Sequence, residues 1–560
     1  MTANGRRVAF FTIVSYLFVF GSQQLLAAVF ECKDEAVIVR APVGKIVGVK
    51  RCSVSNNSVY AFTGIRYARP PVGALRYRKP QRQPPWGDEI WDATRKPPAC
   101  IQHTVFSARN LPWIPYDAQT SEDCLFLNIW TPSLTGKRPV IAWIHGGDFR
   151  HGSAAMPLVD GGNLAALGDV LVVTIAYRLG SFGYLYDGTE GAPGNQGLHD
   201  QLMALKWIQD NIAAFGGDPA EVTLSGFGAG GISIGFFLTA PGTTALFKRA
   251  IIQSGPVTLK GMAIHKDAAP IQLSKFARIF GCHNKSSVTL KAGSIVSCMR
   301  NIDAKLIGPL EQNFLDSGGM FMPIFGDGLF PINPQLATFT GDRDVMIGYV
   351  ANEGSVNLYL HFTDVFSKTL SLRNVSKDEM LYYLGALHKD LSLPQLLTLR
   401  KLYMRRLSNS AYQKLRQALA QQQTETLVSC PLVETALKLS EATVLAKTGH
   451  SVYFYELDYT SHCSKALPWL SMTHGDDIAF VFGRPFDENG CAHDIPFAKK
   501  LIEIWSNFAK GRKPVLPGCG KWPEFKKHFP VLLKITGAKC VPLKFSYFGH
   551  CHKLKKLELY

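Results

Sequence analysis

The chain is 560 residues long, 46% hydrophobic and 18% charged, so it can bury a large core. Its formal net charge of +17 favours anionic partners, but the lysines and arginines are spread along the whole length rather than gathered with aromatics into a basic stripe. We therefore expect no nucleic-acid partner, and an anionic glycan stays as an alternative. No internal repeat or low-complexity linker divides the chain, so its length is as consistent with one large domain as with several small ones.

The amino terminus has the three zones of a secretory signal peptide. Two arginines precede an apolar run over residues 8–20, and small residues follow that run. The run is short for a membrane span, and the carboxyl end has neither a span nor a lipid-anchor pattern. We expect a signal peptide over residues 1–28, a domain over residues 29–560, and a secreted protein without a stable membrane span. A retained signal anchor is the alternative.

The cysteines and the sequons fit the same compartment. Twelve cysteines in a chain that enters the secretory pathway indicate disulfides. Cys100 and Cys124 bracket a loop just before an apolar strand, which a disulfide could close. Three Asn-x-Ser sequons predict glycosylation at Asn56, Asn284 and Asn374.

Apolar runs and one periodic segment predict the elements in the middle of the chain. Residues 140–144 and 171–176 are continuous apolar runs, as strands buried on both faces require. Between residues 198 and 215, apolar side chains recur at spacings of three and four, which predicts a helix that stops at the glycines of residues 216–219. The next strand is predicted to begin at Val222. Strands that alternate with helices imply parallel βαβ units and an α/β fold.

The strand from Val222 enters a glycine-rich turn that is followed by a helix. This is the context of the G-x-S-x-G nucleophile elbow, in which a serine hydroxyl is exposed at the carboxyl edge of the sheet. Here the centre of the motif is Gly228. Glycine has no side chain with which to attack a carbonyl, so this position cannot perform covalent acyl transfer. Glycine reaches positive φ at little cost, and we expect the turn to form.

A second glycine motif follows the strand at residues 140–144. We call the His-Gly-Gly sequence of residues 145–147 the glycine loop. Its backbone N–H groups at Gly146 and Gly147 are suited to bind a developing oxyanion, together with the N–H of the residue after the elbow centre, Ala229.

Six motifs stand out, at residues 122–125, 145–147, 177–180, 194–198, 215–219 and 253–255. In combination they resemble the type-B carboxylesterase and cholinesterase family, from about residue 45 to the carboxyl end. The resemblance implies an α/β-hydrolase fold, with a large, mostly parallel central sheet flanked by helices in a single domain, and it implies carboxylic ester chemistry without a cofactor. The elbow departs from the family pattern twice, with Phe227 in place of the usual glutamate and Gly228 in place of the serine.

The resemblance also assigns the other two positions of a catalytic triad. Glu353 follows a predicted strand in a loop that resembles the family's acid loop, so it is expected to orient the imidazole. His474 matches the general-base loop. Trp113 resembles, with an offset of one residue, the tryptophan that holds a quaternary ammonium group in cholinesterases. The alternative for Trp113 is a plain buried aromatic.

Further disulfides are implied by the resemblance. Cys282 and Cys298 resemble the family's short disulfide loop, and Cys430 is expected to bridge to the carboxyl-terminal region, with Cys551 or Cys540 as its partner. The other five cysteines have no assignment.

Two functional hypotheses follow. The first is a secreted, catalytically inactive family member that retains a pocket for an ester-like or choline-like small ligand, or for an extracellular protein. Glycine at the nucleophile position also occurs in the neuroligin-like adhesion branch, although that branch typically has a carboxyl-terminal stalk and span. The alternative is an active carboxylic ester hydrolase that uses water or a non-standard nucleophile.

Substitutes for the missing serine are few. Ser225 is expected on the strand and Ser233 one turn into the helix, so neither should present its oxygen at the elbow. No HExxH spacing accompanies His474, and we expect no metal site. The resemblance also allows a homodimer through carboxyl-terminal helices.

Overall fold

The computed structural model describes residues 34–52, 57–102, 111–240, 242–283, 292–366, 373–463, 470–487, 491–516, 520–537, 539–544 and 549–560. Within these ranges, residues Asp34–Tyr560 form one compact unit. The predicted signal segment 1–28 and the sequons at Asn56 and Asn284 lie outside the described residues, whereas Asn374 is exposed.

The strands, in chain order, are β1 (Glu35–Ala41), β2 (Gly44–Cys52), β3 (Ser58–Arg66), β4 (Ile90–Asp92), β5 (Ala99–Cys100), β6 (Thr120–Ser121), β7 (Phe126–Thr131), β8 (Arg138–Ile144), β9 (Leu171–Ile175), β10 (Gly217–Phe227), β11 (Arg249–Gln253), β12 (Ile264–His265), β13 (Ile324–Phe325), β14 (Asp344–Val350), β15 (Val452–Leu457), β16 (Val515–Leu516), β17 (Gly520–Lys521), β18 (Val531–Ile535) and β19 (Cys540–Lys544).

The α-helices are α1 (Gly162–Gly168), α2 (Gly180–Tyr184), α3 (Gln196–Asn211), α4 (Ala229–Phe237), α5 (Ala269–Ile279), α6 (Ala292–Arg300), α7 (Ala304–Asp316), α8 (Gly354–His361), α9 (Thr363–Phe366), α10 (Glu379–Leu387), α11 (Leu393–Met404), α12 (Tyr412–Thr424), α13 (Cys430–Ala446), α14 (Asp476–Val481), α15 (Ile495–Ala509) and α16 (His550–Lys556).

A large, mostly parallel sheet organises the molecule. In the described part of the chain it has 13 strands, in the order β1-β2-β3-β7-β9-β8-β10-β11-β14-β15-β18-β19, with β4 beside β2. Along this order, all the pairs from β9 to β18 are parallel, and the pairs toward β1 and β19 are antiparallel. The additional strand β4 pairs with β2 in parallel. This architecture confirms the predicted α/β fold with its parallel central sheet and flanking helices.

The central strands are apolar throughout because both faces of the sheet are covered. In β8, Val140, Ala142 and Ile144 belong to one core cluster, whereas Ile141 and Trp143 belong to a second. Successive side chains of a strand point to opposite faces, so the two clusters lie on the two sides of the sheet. A third cluster packs the helices from α8 to α13 against the carboxyl-terminal helix α16.

Two predicted boundaries differ from those in the structure. The helix predicted to reach residue 215 ends as α3 at Asn211 and continues as one 3₁₀ turn at Ile212–Phe215. Gly216 then adopts a φ of 81°, which turns the chain directly into β10, so this strand begins at Gly217 and not at Val222. All the apolar side chains of the predicted helix face are buried.

Disulfides join distant parts of the chain. The structure contains the pairs Cys100–Cys124, Cys282–Cys298 and Cys430–Cys551, so the partner of Cys430 is Cys551 and not Cys540. A fourth pair, Cys463–Cys491, has no counterpart in the sequence prediction. Cys52 and Cys540 are also disulfide-bonded. Among the helices of the described ranges, none has the length and hydrophobicity needed to cross a bilayer.

Candidate functional site

A tight turn connects β10 to α4, and Gly228 is its centre. Gly228 has φ 53° and ψ −118°, a conformation that side chains of L-residues disfavour. Its N–H donates to the carbonyl of Gln253 at 2.9 Å, and its carbonyl accepts from the N–H of Ile232 at 2.9 Å. A Cβ atom built on Gly228 would lie 3.7 Å from Nε2 of His474 and 3.8 Å from Cα of Gly146. The side-chain direction of Gly228 therefore faces the imidazole.

The glycines beside Gly228 are required for a different reason. A Cβ on Gly226 would lie 2.6 Å from the carbonyl carbon of Gly230, and a Cβ on Gly230 would lie 2.1 Å from the carbonyl oxygen of Ile144. Real Cβ atoms do not approach a backbone this closely. Gly226 and Gly230 thus allow the backbone of the turn to pack closely on the start of α4 and on the end of β8. Gly228 is not needed for this close packing.

The glycine loop borders the turn. A Cβ on Gly146 would lie 2.7 Å from the carbonyl oxygen of Phe227, and Gly147 has a φ of 115°. Among the hydrogen bonds of the described residues, none has the N–H of Gly146 or of Gly147 as its donor. Ala229 is the first residue of α4, so its N–H has no acceptor within the helix. Gly146 and Ala229 thus lie beside Gly228, and oxyanion binding by these two residues and Gly147 stays a prediction.

His145 holds the start of the glycine loop. Its ring stacks on that of Tyr177 with centroids 4.3 Å apart, and the Tyr177 hydroxyl donates to the carbonyl of His145 at 2.9 Å. Burial lowers the pKa of His145 to about 4, so the ring is neutral at neutral pH. His145 therefore has a packing role in this loop.

Glu353 and His474 form a hydrogen-bonded pair. His474 Nδ1 and Glu353 Oε2 are 2.5 Å apart. The other carboxylate oxygen of Glu353 accepts from the hydroxyl of Ser254 at 2.5 Å and from the N–H of Val350 at 2.8 Å. The Glu353 side chain is fully buried, whereas that of His474 is 23% exposed. This arrangement directs Nε2 of the imidazole toward Gly228.

Backbone contacts fix the two loops that carry this pair. The loop of Glu353 follows β14, and the N–H of Asn352 donates to the carbonyl of Met472 at 3.0 Å. Thr473 donates from both its N–H and its hydroxyl to Asp476 at 2.7 Å. Residues that are 121 positions apart in sequence are in this way held at hydrogen-bond distance.

The carboxylates of the site raise the pKa of His474. Burial of the imidazole lowers this pKa, but the charge of Glu353 and its hydrogen bond outweigh burial, so the pKa lies above its ordinary value of 6.5. A second carboxyl group, that of Asp477, accepts from Nε2 of Gln253 at 2.8 Å. Burial raises the pKa of Asp477 to about 6.

Two aromatic rings pack on the imidazole. The ring centroids of Phe227 and His474 are 4.5 Å apart, and those of Trp113 and His474 are 5.4 Å apart with nearly perpendicular planes. Trp113 is 6% exposed. The structure therefore places Trp113 at the site, and its contact with a ligand stays a prediction.

The two serines near the elbow are directed elsewhere. The Ser225 hydroxyl donates to Oε1 of Gln253 at 3.3 Å, and the Ser233 hydroxyl donates to the carbonyl of Ala229 at 2.9 Å. Both side chains are buried. Within the described ranges, no group of three or more His, Cys, Asp or Glu side chains is arranged to hold a metal ion.

Sequence reasoning missed two residues of the site. Ser254 lies in one of the motifs that carry the family resemblance, and its positive φ of 51° was not predicted. Asp477 lies three residues after His474. Both motifs were recognised, but only the fold shows that Ser254 reaches Glu353 and that Asp477 reaches Gln253.

Comparisons with known proteins identify the family of the chain. A model of the carboxylesterase family matches residues 35–552. Acetylcholinesterase-1 of Trittame loki is 32% identical over 509 residues, which cover 88% of this chain and 89% of that protein. Acetylcholinesterase of Bungarus fasciatus is 31% identical over 518 residues, which cover 89% of this chain and 82% of that protein. The chain belongs to the carboxylesterase family.

Proposed function

We propose that the protein is a secreted member of the carboxylesterase family that does not act as a serine hydrolase and that uses its retained site to bind a ligand or a protein partner. One observation carries the proposal. The position that faces Nε2 of His474 is Gly228, which has no hydroxyl group. The disulfides support an oxidising compartment, and the signal peptide, the domain start at residue 29 and glycosylation at the three sequons are predictions of the same proposal.

The absence of a nucleophilic side chain is expected to lower ester turnover by a large factor. In serine hydrolases, removal of the nucleophile costs on the order of 10⁶-fold in turnover, although the oxyanion-binding groups leave a residual acceleration. Ser225 and Ser233 donate to groups inside the protein and do not face His474. Glycine at this position is shared with the neuroligin-like branch, and a non-catalytic role of the same kind is part of the proposal.

The alternative is hydrolysis by water that His474 activates. The intact pair of His474 and Glu353 favours it. The raised pKa of His474 leaves a smaller fraction of the imidazole able to accept a proton near neutral pH, which slows hydrolysis by water and by an introduced serine alike. An ester-like or choline-like ligand, an extracellular protein, an anionic glycan and a homodimer stay as predictions about partners.

Hydrolysis of 4-nitrophenyl acetate tests the proposal. The natural protein is compared with Gly228→Ser, with His474→Ala, and with the double variant. We expect the natural protein to be silent and Gly228→Ser to hydrolyse the ester in a His474-dependent way, because the new side chain would lie beside Nε2. Hydrolysis by the natural protein that His474→Ala abolishes would show that the proposal is wrong and that water or another group is the nucleophile.

A further inference from the structure

A cavity of about 320 Å³ lies where the last strands of the sheet meet the helices α12 and α16. Residues of β14, β15, β18 and β19 line it, together with a single π-helical turn at Glu425–Ser429 that joins α12 to α13. Turns of this kind inside helices occur frequently at functional sites. None of the described residues that line the cavity belongs to the candidate site. Its wall includes Tyr349, Glu425, Ser429, Glu456, Leu543 and His550, and we call it the carboxyl-terminal cavity.

Glu425 is a mostly buried carboxylate that has no lysine or arginine partner in the described part of the chain. Its side chain is 15% exposed. Oε2 accepts from the hydroxyl of Tyr403 at 2.5 Å and lies 2.9 Å from Nδ1 of His550, and Oε1 accepts from Nε2 of Gln421 at 2.7 Å. The phenol and the amide are neutral, and an imidazole is charged only when it is protonated. Since a buried carboxylate is costly unless a cation pairs with it, Glu425 is suited to receive one.

A second carboxylate, that of Glu456, borders the same cavity, and its side chain is 16% exposed. Oε1 accepts from Nζ of Lys534 and Oε2 accepts from the hydroxyl of Tyr349, both at 2.8 Å. Lys534 also pairs with Asp458 at 2.7 Å, so one ammonium group serves two carboxylates. Burial raises the pKa of Tyr349, and the charges of Glu456 and of Glu425 raise it further. Both carboxylates therefore act on the same phenol.

The hydroxyl of Ser429 is an independent indication of a ligand. Ser429 is 3% exposed and lines the cavity. Among the hydrogen bonds of the described residues, none involves this hydroxyl. The oxygen is not among the polar atoms that are sealed inside the protein, so the cavity is the space that reaches it. A buried hydroxyl without a protein partner is costly, and a ligand in the cavity would supply the missing bond.

One more charged group, that of Lys544, lines the cavity and does not oppose a cation strongly. Its Nζ lies 4.8 Å from the ring centre of Phe529 in a cation–π contact, and the residue is exposed. The three carboxylates of the region outnumber its two lysines. An entering cation therefore meets an excess of negative charge.

We propose that the carboxyl-terminal cavity binds a small primary amine through its ammonium group. The ammonium donates to the carboxylates of Glu425 and Glu456 and to the hydroxyl of Ser429, which matches its three N–H donors. A carboxylate has about four acceptor positions, of which Glu425 uses three and Glu456 two. The apolar part of the amine packs against Leu532 and Leu543, which line the same cavity. The inference goes beyond the proposed function and does not depend on position 228.

Binding of benzylamine and of its neutral isostere benzyl alcohol tests the inference. Dissociation constants are measured by ligand-observed NMR on the full chain at about pH 8, where a primary amine is protonated and an ordinary histidine is not. We expect benzylamine to bind at least about tenfold more tightly than benzyl alcohol, because charge-assisted hydrogen bonds are stronger than neutral ones. Benzyltrimethylammonium has the charge but no N–H donor, and it should also bind at least about tenfold more weakly than benzylamine.

Leu543→Lys supplies the decisive variant, since it adds an ammonium group at the wall of the cavity, on the exposed strand β19. It should weaken benzylamine binding at least about tenfold by charge repulsion. Val541→Lys is its matched control. Val541 lies two residues away on the same face of β19, is 41% exposed against 38% for Leu543, and does not line the cavity. The control should bind benzylamine like the natural protein. Ser429→Ala, which removes only the unpartnered hydroxyl, should weaken binding at least about threefold.

Several results would overturn the inference. These are equal binding of benzyl alcohol or of benzyltrimethylammonium, unchanged benzylamine binding by Leu543→Lys or by Ser429→Ala, and equal weakening by Val541→Lys. Loss of benzylamine binding in Trp113→Ala without a loss in Leu543→Lys would place the amine at the candidate site and would also overturn it. Ester hydrolysis by the natural protein would contradict the proposed function alone, because the wall of the cavity and the candidate site share no described residue.

Discussion

The candidate site has two halves, which are held in place in different ways. The imidazole half consists of Glu353 and His474, and the elbow half is the turn at Gly228. In the imidazole half, Glu353 receives hydrogen bonds from His474, from Ser254 and from the N–H of Val350, and the carboxylate is fully buried. In the elbow half, the conformation of Gly228 is held by backbone hydrogen bonds and by the close packing of its neighbours. Side-chain contacts define the first half, and the shape of the main chain defines the second.

This difference explains how the turn can form without a side chain at position 228 while the hydrogen bonds of the imidazole half are intact. The turn needs glycine at positions 226 and 230 for close packing, whereas position 228 only needs a residue that accepts positive φ. Removal of a side chain at 228 therefore leaves the main chain intact. Removal of Glu353 would instead leave several buried donors without an acceptor, which is costly. The hydrogen bonds of the imidazole half are thus expected to contribute to the stability of the fold.

The largest expected effect comes from a substitution in the imidazole half of the Gly228→Ser variant, in which a serine hydroxyl is introduced. In the Gly228→Ser background, Glu353→Gln should lower ester turnover by on the order of 10⁴-fold, because the amide no longer holds the imidazole in the reactive tautomer. Steady-state hydrolysis of 4-nitrophenyl acetate measures it. Glu190→Gln, which changes a side chain that is 84% exposed, is the control and should have no effect. Less than a tenfold loss would mean that Glu353 does not orient His474.

The next effect distinguishes packing glycines from the glycine that faces the site. Gly226→Ala should lower the free energy of unfolding by about 3 kcal/mol or more, because its Cβ would overlap the backbone of Gly230. Gly228→Ala should cost less, about 1–3 kcal/mol, the strain of an L-residue in a sparsely populated region of backbone conformation. Urea unfolding of both variants checks the difference. Equal losses would contradict the separate roles assigned to the two positions.

The sequence predicts the parts of the site that depend on local pattern. The continuous apolar runs identify β8 and β9 because both faces of these strands are covered, and the glycine spacing identifies the turn at Gly228. The boundaries of α3 and β10 were wrong by four or five residues, because a 3₁₀ turn and the positive φ of Gly216 lie between them. Periodicity does not report such a change of backbone conformation.

Contacts between distant segments are not encoded in a local pattern. Ser254 reaches Glu353 across 99 residues, and Asp477 reaches Gln253 across 224. The ring of Trp113 contacts that of His474 although the two residues are far apart in sequence. The pair Cys463–Cys491 likewise becomes evident when its two segments are adjacent in space. These features require the assembled fold, whereas Glu353 and His474 could be assigned from family motifs.

The pH dependence of the free energy of unfolding tests the raised pKa of Asp477, which lies three residues after His474. Burial raises the pKa of Asp477 to about 6, above the value of about 3.9 expected in the unfolded chain. The folded state therefore binds the proton of the Asp477 carboxyl group more tightly than the unfolded chain does. The contribution of this proton to the free energy of unfolding is fully present below about pH 4 and is lost as the pH rises through about 6. The loss should amount to about 2–3 kcal/mol, since each pKa unit corresponds to about 1.4 kcal/mol.

Asp477→Asn should flatten this part of the pH profile of the free energy of unfolding. His474 contributes with the same sign in a separate window, because its raised pKa gives stability that is present below about pH 6.5 and is lost as the pH rises through the higher folded value. Urea unfolding at intervals of pH measures both. A profile for Asp477→Asn that matches the natural protein between about pH 4 and pH 6 would contradict the assignment of the proton to Asp477.

The smallest expected effect comes from removing one of the hydrogen bonds that Glu353 accepts. Ser254→Ala removes the hydroxyl that donates to Oε1 at 2.5 Å, and we expect a loss of about 1.5 kcal/mol in the free energy of unfolding. The remaining carboxylate is less well solvated, so the pKa of His474 should rise further, which NMR titration of the imidazole measures. Ser233→Ala is the control, because it also deletes a buried hydroxyl but one that donates to the carbonyl of Ala229 and accepts from Nε2 of Gln201. If both variants lose similar stability and neither shifts the pKa of His474, Ser254 contributes only packing, and the pair of His474 and Glu353 is held by the backbone alone.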